Sequence, residues 1–403
     1  MLSRQRVESI GVAYDCLFPY TTGGGERQYR AVAEELVREG RRVDYLTSRQ
    51  WQGAEPDPET FGIVSVTGRL DLYDRDGVRR SSAALRYAFG LFRTLLRRRR
   101  SYDAVIVSGL PVLNVFAARA ALLGSGTRIV VDYLEVWGRT QWLEYAGAVT
   151  GSVAWALQRA AIALTPIATC HSQLSARRLK SEGFRGDPLV SPGLIDTVHA
   201  PTPVAEATQP PFVLYAGRHI PDKRVESLPA AIEVARQAIP DLELVILGEG
   251  PSTPGVASRA AGKDWIRMPG FVPEQTLEDL MGGASCLVNP SRREGYGLVV
   301  VEASGFGTPV VLVQDEGNAS TELVTPDVNG FVAASTSPED LAAAIAAAVT
   351  AGPDLRARTR AWYDDAVRTR TIKQTVKRIL AVLDGEPQPT GRDATDDREE
   401  PRP

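Results

Sequence analysis

The chain has 403 residues, 43% hydrophobic and 24% charged, and its 46 basic and 49 acidic residues leave a net charge of −3. At roughly 150 residues per domain, that length requires more than one core, and the composition excludes a coiled coil, a collagen-like repeat and a wholly disordered chain. No concentrated basic excess asks for nucleic acid as a partner.

In chain order, the opening residues MLSRQRVESIGVAYDC lack the apolar core of a signal peptide and run into a first strand at Ser9–Ala13. A loop at 20–25 ends in three glycines. From Glu26, the apolar positions Tyr29, Val32, Ala33, Leu36 and Val37 recur at helical spacing, and Gly40 stops that helix. Residues 42–47, Ala104–Ser108 and 128–132 read as further strands. Such strand–helix alternation predicts parallel pairing in a doubly wound α/β layer. Residues 91–100 (LFRTLLRRRR) form a basic-ended amphipathic stretch: the arginines complement a helix dipole, and the sharper reading is contact with anionic lipid. The longest apolar candidate, 154–167, is interrupted by Gln158, Arg159 and Pro166, so no membrane-spanning helix is expected.

Residues 201–211 (PTPVAEATQPP) hold four prolines and mark a linker. Alternation then restarts. Strands are expected at Phe212–Ala216, 242–247, 266–269, Cys286–Asn289 and Val310–Val313. Helices are expected at 227–238, 276–282, Leu298–Gly305 and 338–349. The expected fold is two Rossmann-like domains, 1–200 and 212–370, facing a central cleft. An amphipathic helix at 371–384 follows. Residues 385–403 contain no Val, Ile, Leu or aromatic residue and are expected to be disordered. The widely scattered Cys16, Cys170 and Cys286 suit free thiols in a reducing, cytoplasmic setting.

Two stretches carry chemistry. In 289–311 (NPSRREGYGLVVVEASGFGTPVV), a strand ends in a loop where Gly295 and Gly297 flank Tyr296, and a helix opens at Leu298. The amides of Tyr296, Gly297 and Leu298 at that helix start suit an anionic group such as a diphosphate. Glu294 in the loop suits sugar hydroxyls, and Glu302 in the helix suits a ribose diol. In 215–224 (YAGRHIPDKR), Arg218 and Lys223 lie five residues apart after a strand, where two cations can neutralise a diphosphate leaving group. Only five of the 46 basic residues are lysines, which makes Lys223 less like surface decoration.

Together these residues resemble the retaining glycosyltransferases of family 4, which have the GT-B architecture. The E-x7-E signature matches Glu294 and Glu302, and G-R-x-x-x-x-K matches Gly217, Arg218 and Lys223. Gly23, Gly24 and Gly25 match the family's glycine loop. Gly248 within GEGP and Val272 within GFV also match. The resemblance covers about residues 9–383. It implies a hexosyltransferase that uses a nucleotide diphosphate sugar, UDP- or GDP-linked, as co-substrate, with no further cofactor and no metal. Arg218 and Lys223 would bind the diphosphate, Glu294 and the 295–298 backbone the sugar, Glu302 the ribose and Val272 the base. The glycine loop would approach from the other domain, and the last helix would cross back to the N-terminal one. The acceptor would be a hydroxyl of a glycan, a lipid-linked or a small molecule, with peripheral membrane contact as a corollary. Where the family often carries an acceptor-side histidine, this sequence has Leu134, which leaves Asp132 and Glu135 as polar candidates.

Other readings stay open. A nucleotide-sugar 2-epimerase, a phosphorylase and a non-catalytic sugar-nucleotide binder share the architecture. A dehydrogenase is disfavoured, because no G-x-G-x-x-G follows the first strand. Asp74–Arg75–Asp76 reads as an exposed turn rather than a metal site. His171 and His219 read as structural, although His219 follows Arg218. Trp137, Trp142 and Trp155 suit either an acceptor platform or core.

Overall fold

The structure, a computed structural model, describes residues 6–21, 23–53, 56, 60–72, 79–191, 195 and 201–385. The 74–76 motif and the tail beyond residue 385 lie outside them. Two parallel sheets organise the rest. The first contains β1 (Ser9–Ala13), β2 (Arg42–Ser48), β3 (Gly62–Thr67), β4 (Ala104–Ser108), β5 (Arg128–Tyr133), β6 (Ile167–Cys170) and β7 (Leu189–Val190), in the order 3-2-1-4-5-6-7. The second contains β8 (Phe212–Ala216), β9 (Glu243–Leu247), β10 (Ile266–Gly270), β11 (Cys286–Asn289), β13 (Val310–Val313) and β15 (Gly330–Ala333), in the order 10-9-8-11-13-15. Two short strands, β12 (Arg293–Glu294) and β14 (Gly317–Asn318), pair separately.

Central strands such as AVIVS in β4 and VVLV in β13 are buried throughout, as strands covered by helices on both faces must be. In each sheet the order reverses once, between β1 and β4 and between β8 and β11. A ligand crevice opens at such a reversal, beyond the carboxyl ends of the strands. The residues after β8 and β11 are therefore the ones the topology offers to a ligand, and these are the segments that hold Gly217–Lys223 and Ser291–Leu298.

The helix Ile372–Leu383 packs on Gly24–Arg38, and its Ile372, Val376, Ile379, Leu380 and Leu383 complete the core beneath Tyr29 and Leu36. The chain thus crosses back to the first sheet. At the crossing, Ile195 N–H donates to Arg370 O at 3.0 Å and Ile372 N–H donates to Ile195 O at 3.2 Å, so the two passages between domains are bonded to each other. The proline-rich segment lies on the second domain: Val204 N–H bonds Phe306 O at 2.9 Å, and Arg356 donates to Val204 O at 3.0 Å. Arg356 is buried and also donates to Ala284 O and Gly282 O. Burial lowers its pKa to about 10. No helix among the described residues is long and apolar enough to cross a membrane.

Candidate donor site at the interdomain cleft

The loop after β8 carries Arg218 and Lys223 to the carboxyl edge of the second sheet. Arg218 is exposed, and its guanidinium makes no hydrogen bond or ion pair among the described residues. Its backbone carbonyl accepts a 2.9 Å bond from the Tyr215 hydroxyl, which anchors the loop. A short 3-10 turn, Pro221–Lys223, turns Lys223 inward onto Glu294, with which it forms an ion pair. The two side chains are only 19% and 15% exposed, so this is a largely desolvated pair. Asn289 and the Ser291 hydroxyl donate to the same Glu294 oxygen at 3.0 and 3.1 Å. Burial alone would raise the Glu294 pKa, but Lys223 and these hydrogen bonds outweigh it and hold the carboxyl below its ordinary value.

Backbone conformation explains the glycines. Gly297 caps the helix Leu298–Gly305 at φ 100°, a left-handed conformation, and a Cβ there would stand 2.5 Å from Ser320 Cβ. At Gly248, also left-handed, a Cβ would come 2.1 Å from Gly217 O, so these two predicted positions are in backbone contact. Gly295 lies against the first domain, where a Cβ would sit 2.2 Å from Leu134 O. Gly24 approaches Leu298 from the opposite side of the cleft, at 3.2 Å from its Cδ1 to a notional Cβ. Gly23 caps the helix Gly24–Arg38, and Gly25 packs close to the Tyr14 hydroxyl. Tyr296 is buried, and Val272 packs against the second-domain core.

The Glu302 carboxylate reaches across the cleft to Arg27, 3.1 Å away on the first domain. Further contacts, which the sequence did not reveal, clamp the domains together. The Glu322 carboxylate accepts the N–H groups of Gln173 and Leu174 at 2.7 and 2.8 Å, capping the helix Gln173–Ser181 of the other domain. Arg292 meets Glu144 at 2.5 Å. Arg293 donates to Asp222 at 2.5 Å, and its guanidinium carbon lies 4.3 Å from the Trp137 ring centroid. Trp137 in turn packs with Trp142 and Tyr145, so these aromatics stand at the domain interface.

One acceptor-side candidate changes. Asp132 is buried and its oxygens are taken: the Tyr29 and Thr169 hydroxyls donate at 2.9 and 2.6 Å, and His171 Nε2 lies 2.9 Å away. It is a core group, not one that faces a substrate. His219 is fully buried between Thr253 and Leu247 O, in keeping with the structural role expected of it. Glu135 stays at the interface, where its carboxylate accepts from the Trp137 indole at 2.7 Å, beside Gly295.

Fold and site together define a two-domain GT-B architecture with its candidate ligand groups on the second sheet. Comparison with known proteins agrees. Residues 23–193 match the glycosyl transferase 4-like domain, and residues 200–361 match the glycosyl transferases group 1 domain. A D-inositol 3-phosphate glycosyltransferase of Segniliparus rotundus is 33% identical over 163 residues, 39% of this chain and 36% of the relative. A glycogen synthase of Mycobacterium tuberculosis is 31% identical over 196 residues, 46% of each chain. The chain thus spans less than half the length of these curated relatives. Among solved structures, a sucrose-phosphate synthase from Thermosynechococcus elongatus superposes with a TM-score of 0.76 at 17% identity, covering 93% of this chain and 99% of the other. Anabaena HepE in complex with UDP-glucose gives a TM-score of 0.65 at 16% identity, covering 93% and 99%.

Proposed function

We propose that the chain is a retaining glycosyltransferase that moves a hexosyl group from a nucleotide diphosphate sugar to a hydroxyl acceptor. The observation that carries this reading is the desolvated Lys223–Glu294 pair at the sheet reversal, beside the exposed Arg218 and the left-handed start of the helix Leu298–Gly305. Lys223, Arg218 and the amides of that helix start are placed to stabilise a diphosphate as its negative charge develops. Glu294 would hold the sugar hydroxyls and Glu302 the ribose. In the proposed step the acceptor oxygen bonds to the anomeric carbon as the carbon–phosphate oxygen bond breaks. The acceptor proton passes to the departing phosphate, on the same face. The relative bound to UDP-glucose supports a UDP-sugar as the first donor to test.

The test is thermal-shift screening against UDP-, GDP-, ADP- and dTDP-sugars, repeated with Glu294→Ala and Lys223→Ala. Proton NMR of the product then reads its anomeric configuration. A nucleotide-dependent shift that both substitutions abolish, with a retained anomer, is expected. No shift with any donor, or a shift indifferent to both substitutions, refutes the donor site; an inverted anomer refutes the retaining mechanism. A shift without turnover identifies a non-catalytic sugar-nucleotide binder.

A further inference from the structure

One face of the first sheet is covered by three helices, Ser81–Arg97, Leu113–Ala121 and Ala148–Leu164, with the middle one packed against both others. Their inward sides supply the core through Tyr87, Leu91, Leu95 and Ile162. Their outward sides are not the polar faces a water-exposed helix should present. Ten large apolar or aromatic side chains are exposed among the described residues, and eight of them lie on this layer. On the first helix Leu85 and Phe89 are 58% and 62% exposed, and Leu96 is exposed further along the same stripe. On the third, Val149 and Val153 are 80% and 55% exposed, followed by Leu157 and Leu164. Leu123, 74% exposed, stands in the turn after the middle helix.

The spacing is the same on both outer helices. Positions 85, 89, 93, 96 and 100 form one outward stripe, and positions 149, 153, 157, 160 and 164 form another. Charge on this layer has one sign. Residues 79–100, 113–128 and 148–167 contain no Asp or Glu, although the whole chain carries more acidic than basic residues. Arg86, Arg93, Arg97 and Arg100 are exposed and make no ion pair among the described residues, and Arg159 lies over Trp155 on the third helix. The carboxylates that do reach this layer have other partners: Asp44 pairs with Arg98, and Glu182 accepts from the Trp155 indole. A concentration of exposed apolar side chains on one layer marks an interaction site, and arginines interleaved with it select an anionic partner.

We infer that this helical layer docks on an anionic lipid bilayer, with Leu85, Phe89, Val149 and Val153 entering the headgroup–acyl boundary and the arginines facing lipid phosphates. The occupant follows from the combination. Two outward stripes of exposed apolar side chains on one helical layer match an apolar phase, and Arg86, Arg93, Arg97 and Arg100, without ion-pair partners among the described residues, match its charged rim. The inference does not depend on the glycosyl-transfer reading.

The test is co-sedimentation of the full chain with vesicles of phosphatidylcholine alone and of phosphatidylcholine with phosphatidylglycerol, at two salt concentrations and without nucleotide. Binding to the anionic vesicles, weakened by salt, is expected, with little on the neutral ones. Arg97→Ser and Arg100→Ser should each weaken it about fivefold. Phe89→Ser should weaken it roughly tenfold. Val153→Ser on the other outer helix serves as an independent second variant, and melting temperatures confirm that each remains folded. Absence of binding, equal binding to neutral vesicles, or binding unchanged in all the variants overturns the proposal. So does a dimer in light scattering that Phe89→Ser dissolves, since a second copy of the chain would then be what covers the face.

Discussion

Breaking the Lys223–Glu294 pair should cost more than either residue's exposure suggests. Glu294→Gln keeps the side-chain shape and still offers an oxygen to the Asn289 and Ser291 donors at 3.0 and 3.1 Å. What disappears is the negative charge opposite a Lys223 ammonium that is 19% exposed. Removing one member of a buried ion pair costs about 3–5 kcal/mol, because the other charge stays desolvated without compensation. Residual solvent access places this site at the low end, near 3 kcal/mol. At about 2–4 °C per kcal/mol for a domain of this size, the melting temperature should fall by roughly 6–12 °C. Lys223→Met should cost a similar amount for the converse reason. The double variant removes both charges and should recover much of the loss, so the cycle yields a favourable coupling of about 2 kcal/mol or more. Urea denaturation of the four proteins measures it. Single-variant losses below about 1 kcal/mol, or additive losses, would refute the argument that the pair is desolvated and mutually dependent.

Two further outcomes follow from local geometry. Gly297→Ala should destabilise by about 1–3 kcal/mol from its left-handed backbone alone and more from the contact with Ser320, read as a lowered midpoint in denaturant. The buried Asp132–His171 pair gives a pH signature. Burial lowers the imidazole pKa, but Asp132 more than offsets this and raises it above 6.5, while His171, with the Tyr29 and Thr169 hydroxyls, overrides burial to lower Asp132 below 3.8. The His171 contribution is therefore full below about pH 6.5 and is lost as pH rises through the raised value, and the Asp132 contribution is lost only as acid reaches its lowered one. The melting-temperature gap between wild type and His171→Gln should accordingly narrow from pH 6 to 9; a widening gap would contradict it.

The core strands were legible because burial on both faces leaves uninterrupted apolar runs, and the loops at their carboxyl ends could be located because they follow those runs. β8, β11 and β13 agree with their sequence-based bounds to the residue. The helix Gly352–Thr369 escaped notice for a physical reason. Its buried face includes Arg356, satisfied by three backbone carbonyls, and an inward arginine erases the apolar period. The helix Ala148–Leu164 lacks a clear amphipathic period for the opposite reason: its outward valines and leucines remove the contrast between faces. The contacts joining the domains were invisible for a third reason. Glu322 and Gln173 are 149 residues apart, and nothing in either local sequence announces the pairing.

That interdomain clamp bears on how Glu302 could act. The carboxylate proposed to hold a ribose diol is, in this arrangement, held by Arg27 from the opposite domain. Donor binding would then exchange one partner for another. With side chains 51% and 34% exposed, this ion pair contributes on the order of 0–1 kcal/mol to stability, so Arg27→Ala should leave the melting temperature almost unchanged. It should also free Glu302 and tighten nucleotide binding by up to about fivefold, the same energy returned to the ligand. Glu302→Ala should weaken binding instead. Calorimetric titration of both variants with the nucleotide that shifts the wild type separates the two signs. If Arg27→Ala weakened binding as much as Glu302→Ala, Arg27 would itself be a ligand to the donor, and the exchange argument would fail.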